Sequence, residues 1–93
     1  MKKYIVIDVF ERDMGLPQVF DTAEAAMDAM VGMAAEELEI DSGVILRALQ
    51  ESESYLVEDV CEIQKSFAWA NTSNGRLDMW IYALDTETWR CTV

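Results

Sequence analysis

Ninety-three residues make one domain, 1–93, large enough to bury a modest core without a disulfide framework or a structural metal and too short for two. An apolar fraction of 52% with 10% aromatics belongs to a folded chain, so a net charge of −11 does not imply disorder. The charge argues against direct nucleic-acid binding, and the absence of histidine removes the commonest general base and nitrogen ligand.

The charge is segmental. Residues 1–20 and 63–93 are each neutral, whereas residues 21–62 hold twelve acids against one base, Arg47, and so supply the whole negative field. Met1-Lys2-Lys3 is followed by a short apolar run that ends at Asp8, too brief for a signal peptide, and nothing approaches a membrane span. With two isolated cysteines, Cys61 and Cys91, the expectation is a cytoplasmic protein with free thiols.

Residues 3–10 are rich in Ile and Val and read as a strand, with Ile5, Ile7 and Val9 on one face. Residues 11–18, with Gly15 and Pro17, read as a connecting loop, and Val19-Phe20 as an extended lead into a helix. Asp21 or Thr22 caps that helix, Glu24 standing three residues after Asp21 as in a capping box, and the helix is expected from residue 22 to about 39. A 100-degree advance per residue places Glu24, Asp28, Gly32, Glu36 and Glu39 in one stripe. Met27, Met30, Val31, Met33, Ala34 and Leu38 form the opposing arc, which reads as core. A shorter helix starts after Asp41-Ser42-Gly43 and carries Val44, Ile45, Ala48 and Leu49 to about Gln50. Residues 51–54 read as a solvated connection and Tyr55-Leu56-Val57 as a brief strand.

Residues 62–71 and 76–85 flank Thr72-Ser73-Asn74-Gly75, a hairpin signal. A two-residue Asn74-Gly75 turn would pair Trp69 with Trp80 and Phe67 with Tyr82, and gather Ile63, Phe67, Trp69, Trp80, Tyr82 and Leu84 on one face. Ser66, Ala68 and Ala70 would lie opposite Leu77, Met79, Ile81 and Ala83 on the other. The aromatic face is expected to be core, and a one-residue slip of the loop is expected to exchange the second strand's faces. Residues 89–93 are read as extending an edge.

Asp59 and Glu62 beside Cys61 would raise a thiol pKa, so an inert cysteine is expected. Glu36/Glu37 and Glu58/Asp59 read as solvated carboxylates. No EF-hand pattern, glycine-rich phosphate loop or paired C-x-x-C occurs, so no metal, cofactor or catalytic residue is expected and the chain is read as a non-enzyme.

These elements imply an α+β fold: a small antiparallel three-stranded sheet (N-terminal strand plus C-terminal hairpin), with one long and one short helix packed on one face. A mostly helical domain with a peripheral hairpin is the alternative. For function, the leading expectation is a non-catalytic interaction protein presenting the 21–62 acidic segment, through Glu24, Asp28, Glu36 and Glu39, to a basic protein surface. A nucleic-acid mimic or inhibitor from a phage or mobile element is a specific form of that expectation. The second expectation is a homo-oligomer joined through an uncovered sheet face or edge, because the hairpin puts large apolar residues on both faces and helices cover one.

Overall fold

The computed structural model describes residues 1–92, and the side chains of residues 1–90. The elements run β1 (Lys2–Phe10), β2 (Asp13–Met14), β3 (Gln18–Phe20), α1 (Ala23–Leu38), α2 (Ser42–Ser52), β4 (Ser54–Val57), β5 (Cys61–Gln64), β6 (Phe67–Thr72), β7 (Gly75–Asp85) and β8 (Arg90–Thr92). The strands form one eight-stranded sheet in the order β2-β1-β7-β6-β5-β4, with β3 also on β1 and β8 also on β7. All the pairings are antiparallel.

The α+β class and the two helices match the sequence reading, but the sheet is far larger than three strands. The stretch read as one strand, 62–71, is two, because Lys65-Ser66 turns the chain and pairs Ile63 with Ala68. The brief strand at residues 55–57 is β4, and it pairs along β5. The segment read as a loop, 11–18, and the extended lead after it fold back as β2 and β3 on the outer side of β1. The tail contributes β8, whose Arg90 pairs with Asp85.

Both helices begin and end close to where their sequences place them. Thr22, not Asp21, is the N-cap of α1; its hydroxyl accepts from the Ala25 N–H at 3.1 Å. Glu39 closes α1 in the left-handed conformation, φ 58°, and Ile40 N–H donates to the Ala35 carbonyl. Asp41 caps α2, which runs to Ser52, two residues beyond the expected end and into the stretch read as a connection. Glu53 is its left-handed C-cap.

Both helices lie on one face of the sheet. The core beneath them is Ala26, Met30, Val31, Ala34 and Ala35 of α1, Ile45 and Leu49 of α2, and Val6, Ile63, Ala68, Leu77, Met79 and Ile81 of the sheet. Met27, Met33 and Leu38 pack partly against it, as the apolar arc of α1 requires. The molecule measures 40 × 32 × 17 Å, the thin dimension matching one helix layer on one sheet.

The hairpin register corrects two expectations. The turn residues are Ser73 and Asn74, closed by the Thr72–Gly75 pair, so Trp80 faces Phe67 and Trp69 faces Asp78. The two tryptophans are diagonal neighbours rather than a direct pair. Gly75 takes φ 143°, and a Cβ there would run into the Glu11 side chain. Moving a two-residue turn by one position shifts the pairing by two residues, which preserves faces; the expected exchange of faces does not follow.

The larger correction concerns which face is covered. The helices sit on the face carrying Ala68, Ala70, Leu77, Met79 and Ile81, and the aromatic face expected to be core lies on the opposite side. That face mixes small Ala68 and Ala70 with the larger Leu77, Met79 and Ile81, and Ala26, Met30, Val31, Ala34 and Ala35 of α1 share its core. Ile63, expected among the aromatics, belongs to the helix-covered face because it pairs with Ala68.

Candidate functional site

Three surfaces carry the chemistry of the chain. The first is the acidic stripe. Glu24, Asp28, Glu36 and Glu39 are all exposed, as is Glu37. Glu24 lies in the first turn, where the helix dipole favours an anion, but Glu36 and Glu37 stand in the last turn, which holds no basic residue. Glu39 is displaced from strict helical periodicity by its left-handed backbone, so its direction is set by the cap.

The second surface is the uncovered face of the sheet. Alternation along β1 and β7 puts Ile5, Ile7, Val9, Trp80, Tyr82 and Leu84 on it, and β6 adds Phe67 and Trp69. Register lays them out in rows across the strands: Ile5 with Tyr82, then Ile7 with Trp80 and Phe67, then Val9 with Asp78 and Trp69. All eight apolar side chains are half-buried by one another, and none packs against the core. Val19 of β3, 62% exposed, and Leu56 of β4, 64% exposed, extend the patch toward the two edges.

One end of this face is polar and internally satisfied. The Trp69 indole N–H donates to Glu62 Oε1 at 3.4 Å, and the Arg76 guanidinium lies 4.8 Å from the Trp69 ring centroid. Arg76 also pairs with Asp78 at 3.3 Å, and Gln64 donates to Glu62 at 3.0 Å. At the opposite corner Lys3 pairs with Asp21. The face therefore carries Lys3 and Arg76 against Asp21, Glu62 and Asp78, a near balance of charge.

The third surface is an open groove of about 250 Å³ beside that polar end, lined by Val9, Glu11, Arg12, Arg76 and Asp78. Glu11 and Arg12 form the β1–β2 turn with φ 48° and 74°. The turn is docked on the neighbouring hairpin: Glu11 N–H donates to the Arg76 carbonyl at 3.0 Å, and Glu11 Oε1 accepts from the Arg76 N–H at 3.2 Å. The Glu11 carboxylate is thus engaged in holding two turns together, and the Arg76 guanidinium is paired with Asp78.

Among the described residues no cluster of metal-ligating side chains occurs, and no helix is long and apolar enough to cross a membrane. Cys61 is a buried free thiol whose pKa is raised by desolvation, partly offset by a hydrogen bond that its sulfur accepts from the Val57 backbone. The Cys91 side chain, and with it the expectation of a second free thiol, lies outside the described residues. Asp85 has its pKa lowered, first by the hydrogen bond from the Glu87 backbone N–H, in the turn that leads to β8. The sequence marked the acidic stripe directly; it named the aromatic residues of the sheet too but assigned them to the interior. Only β6 separates the two faces by size, Ala68 and Ala70 on the covered side and Phe67 and Trp69 on the open one; β7 puts large residues on both. No family model, curated protein or solved structure matches the chain.

Proposed function

We propose that this protein is a non-catalytic interaction module whose working surface is the open face of its sheet, with the acidic helical layer turned away from that contact. The observation that carries the reading is the row-by-row apolar patch of Ile5, Ile7, Trp80, Tyr82, Leu84 and Phe67, over which no described element packs. Isolated apolar residues on a surface are ordinary, but a contiguous sheet face with two tryptophans, a tyrosine and a phenylalanine is the composition of an interface. Chemistry is not needed for this role, and the chain offers little for it, with no histidine and a buried, raised-pKa thiol at Cys61.

A second reading, contact between the acidic stripe and a basic protein surface, is favoured by one feature. Glu36 and Glu37 stand at the C-terminal end of α1, where the dipole opposes them, so their charge is placed at some cost to the helix.

Photocrosslinking in the native host separates the two. A photoreactive side chain at Tyr82 samples the sheet face, one at Asp28 samples the stripe, and one at Gln50 on exposed α2 serves as the control. Adducts formed from Tyr82 and not from Gln50 support the sheet-face reading. Adducts from Asp28 alone favour the stripe, and the absence of adducts from both positions would leave neither standing.

A further inference from the structure

We infer that Asn74 is a site of spontaneous modification, at which the Gly75 backbone nitrogen attacks the Asn74 side-chain amide and the turn is rebuilt as isoaspartate, releasing the β1–β2 turn docked against it. The inference goes beyond the interaction reading above and does not depend on it.

The chain has two asparagines, Asn71 and Asn74, and the structure treats them differently. Asn71 lies in β6, where its Nδ2 donates to the Asp59 carbonyl at 3.3 Å and its backbone N–H donates to the Val60 carbonyl at 2.7 Å. The residue after it, Thr72, is branched at Cβ and crowds the nitrogen that would have to attack. Asn74 is an exposed turn residue whose side chain has no hydrogen-bond partner among the described residues. The nitrogen that follows it belongs to Gly75, which has no side chain to shield it. The fold also keeps that glycine in place. Gly75 takes φ 143°, and the Glu11 side chain occupies the space where a Cβ would stand, so a bulkier residue that would slow the attack does not fit.

Water is the only co-reactant. The deprotonated Gly75 nitrogen forms a bond to Asn74 Cγ and the Cγ–Nδ2 bond breaks, expelling ammonia and leaving a cyclic succinimide. Water then opens the ring at either carbonyl, giving aspartate or, with the chain rerouted through Cγ, isoaspartate. Either product gains a negative charge, and isoaspartate lengthens the backbone by one carbon. Both changes fall where the turn has little slack: the Thr72–Gly75 pair closes it, and Thr72 Oγ1 braces it by accepting from the Asn74 N–H at 3.2 Å and donating to the Gly75 carbonyl at 3.0 Å. The next residue holds Glu11, whose Oε1 accepts from the Arg76 N–H at 3.2 Å and whose N–H donates to the Arg76 carbonyl at 3.0 Å. A new carboxylate at residue 74 repels that of Glu11, and the longer turn shifts Arg76 away from it.

Ageing the folded wild type at mildly alkaline pH, followed by peptide mass mapping with electron-transfer fragmentation, tests this. The expected result is a mass gain of about 1 Da at Asn74, carried on an isoaspartyl backbone, with no gain at Asn71. Conversion should slow at mildly acidic pH, because the attacking nitrogen must lose its proton. The Asn74→Gln variant, whose longer side chain would have to close a larger ring, should gain no mass. In the modified fraction, separated by anion exchange, hydrogen exchange at the Glu11 amide should be faster by about tenfold or more. Unchanged exchange there would overturn the release of the β1–β2 turn. A folded protein that stays unmodified over the time in which the denatured chain converts would overturn the site itself, since the turn would then protect Asn74. Equal conversion of Asn71 and Asn74 would overturn it too. Should Asn74→Gln fail to fold, the comparison of the two asparagines within the wild type decides.

Discussion

Cys61 and Trp80 show how much a residue's consequences depend on the side of the sheet it occupies. Cys61 is 1% exposed and its thiol pKa is raised, so it contributes stability that is complete below the ordinary thiol value of about 8.5 and is lost as pH rises above it. In a Cys91→Ser background, Cys61 should remain unmodified by a thiol reagent at neutral pH until denaturant is added, and stability should fall on the alkaline side of about pH 8.5. Trp80 lies on the open face, so in the monomer Trp80→Ala should cost only about 1 kcal/mol, the scale of strand-surface substitutions. Ile63→Ala, at a fully buried position, should cost about 2–5 kcal/mol. Denaturation at protein concentrations below any self-association compares the two; equal losses would mean that Trp80 is held by the monomer's own core.

Among the elements, the turns and caps hold stabilities that the sequence disguises. Glu11 and Arg12 occupy a two-residue hairpin turn with positive φ at both positions, a conformation that favours Asn and Gly. Nothing in their residue types announces a turn, which is why β2 is invisible in the sequence; what holds the conformation is the pair of hydrogen bonds between Glu11 and Arg76 across to the next hairpin. Arg12→Gly, which relieves strain without touching those bonds, should raise stability by about 1 kcal/mol in chemical denaturation. The acidic stripe of α1 should behave in the same direction. Replacing Glu24, Asp28, Glu36 and Glu39 with Gln removes repulsion at helical spacing and an adverse interaction at the C-terminus. The loss of a favourable interaction at Glu24 is smaller, so the quadruple variant should unfold at an equal or slightly higher denaturant midpoint. A loss above about 1 kcal/mol would mean that the stripe has a structural partner.

For the molecule as a whole, the contrast between an acidic helical segment and an apolar sheet face whose charges nearly balance makes salt a diagnostic. Screening leaves apolar contact in place, so a contact made through the sheet face should hold or strengthen as salt rises from about 0.05 to 0.5 M. A contact made by the stripe with a basic surface should weaken over the same range, and sedimentation across a salt series distinguishes the two.

Several features of this fold are legible in the residues themselves. The extent of α1 follows from Thr22 and the Met27, Met30, Val31 periodicity, α2 from Asp41 and the spacing of Ile45 and Leu49, and the β6–β7 hairpin from alternation around residues 72–75. These are local properties, set by helical period, capping and strand pleat, and they depend on neighbours a few residues away. Even the partition of Ala68 and Ala70 from Phe67 and Trp69 is local, because it is fixed by alternation alone. The number of strands is not local, since β2, β3, β5 and β8 are short segments defined by pairing with β1, β6 and β7. Nor is the choice of covered face: both faces of the hairpin carry apolar residues, and the choice is made by where α1 and α2, distant in sequence from it, pack. Alternation offers two apolar faces of β6 and β7, and only the docking of the two helices on the Ala68, Leu77, Met79 and Ile81 side, a contact between segments distant in sequence, leaves the aromatic side chains facing outward.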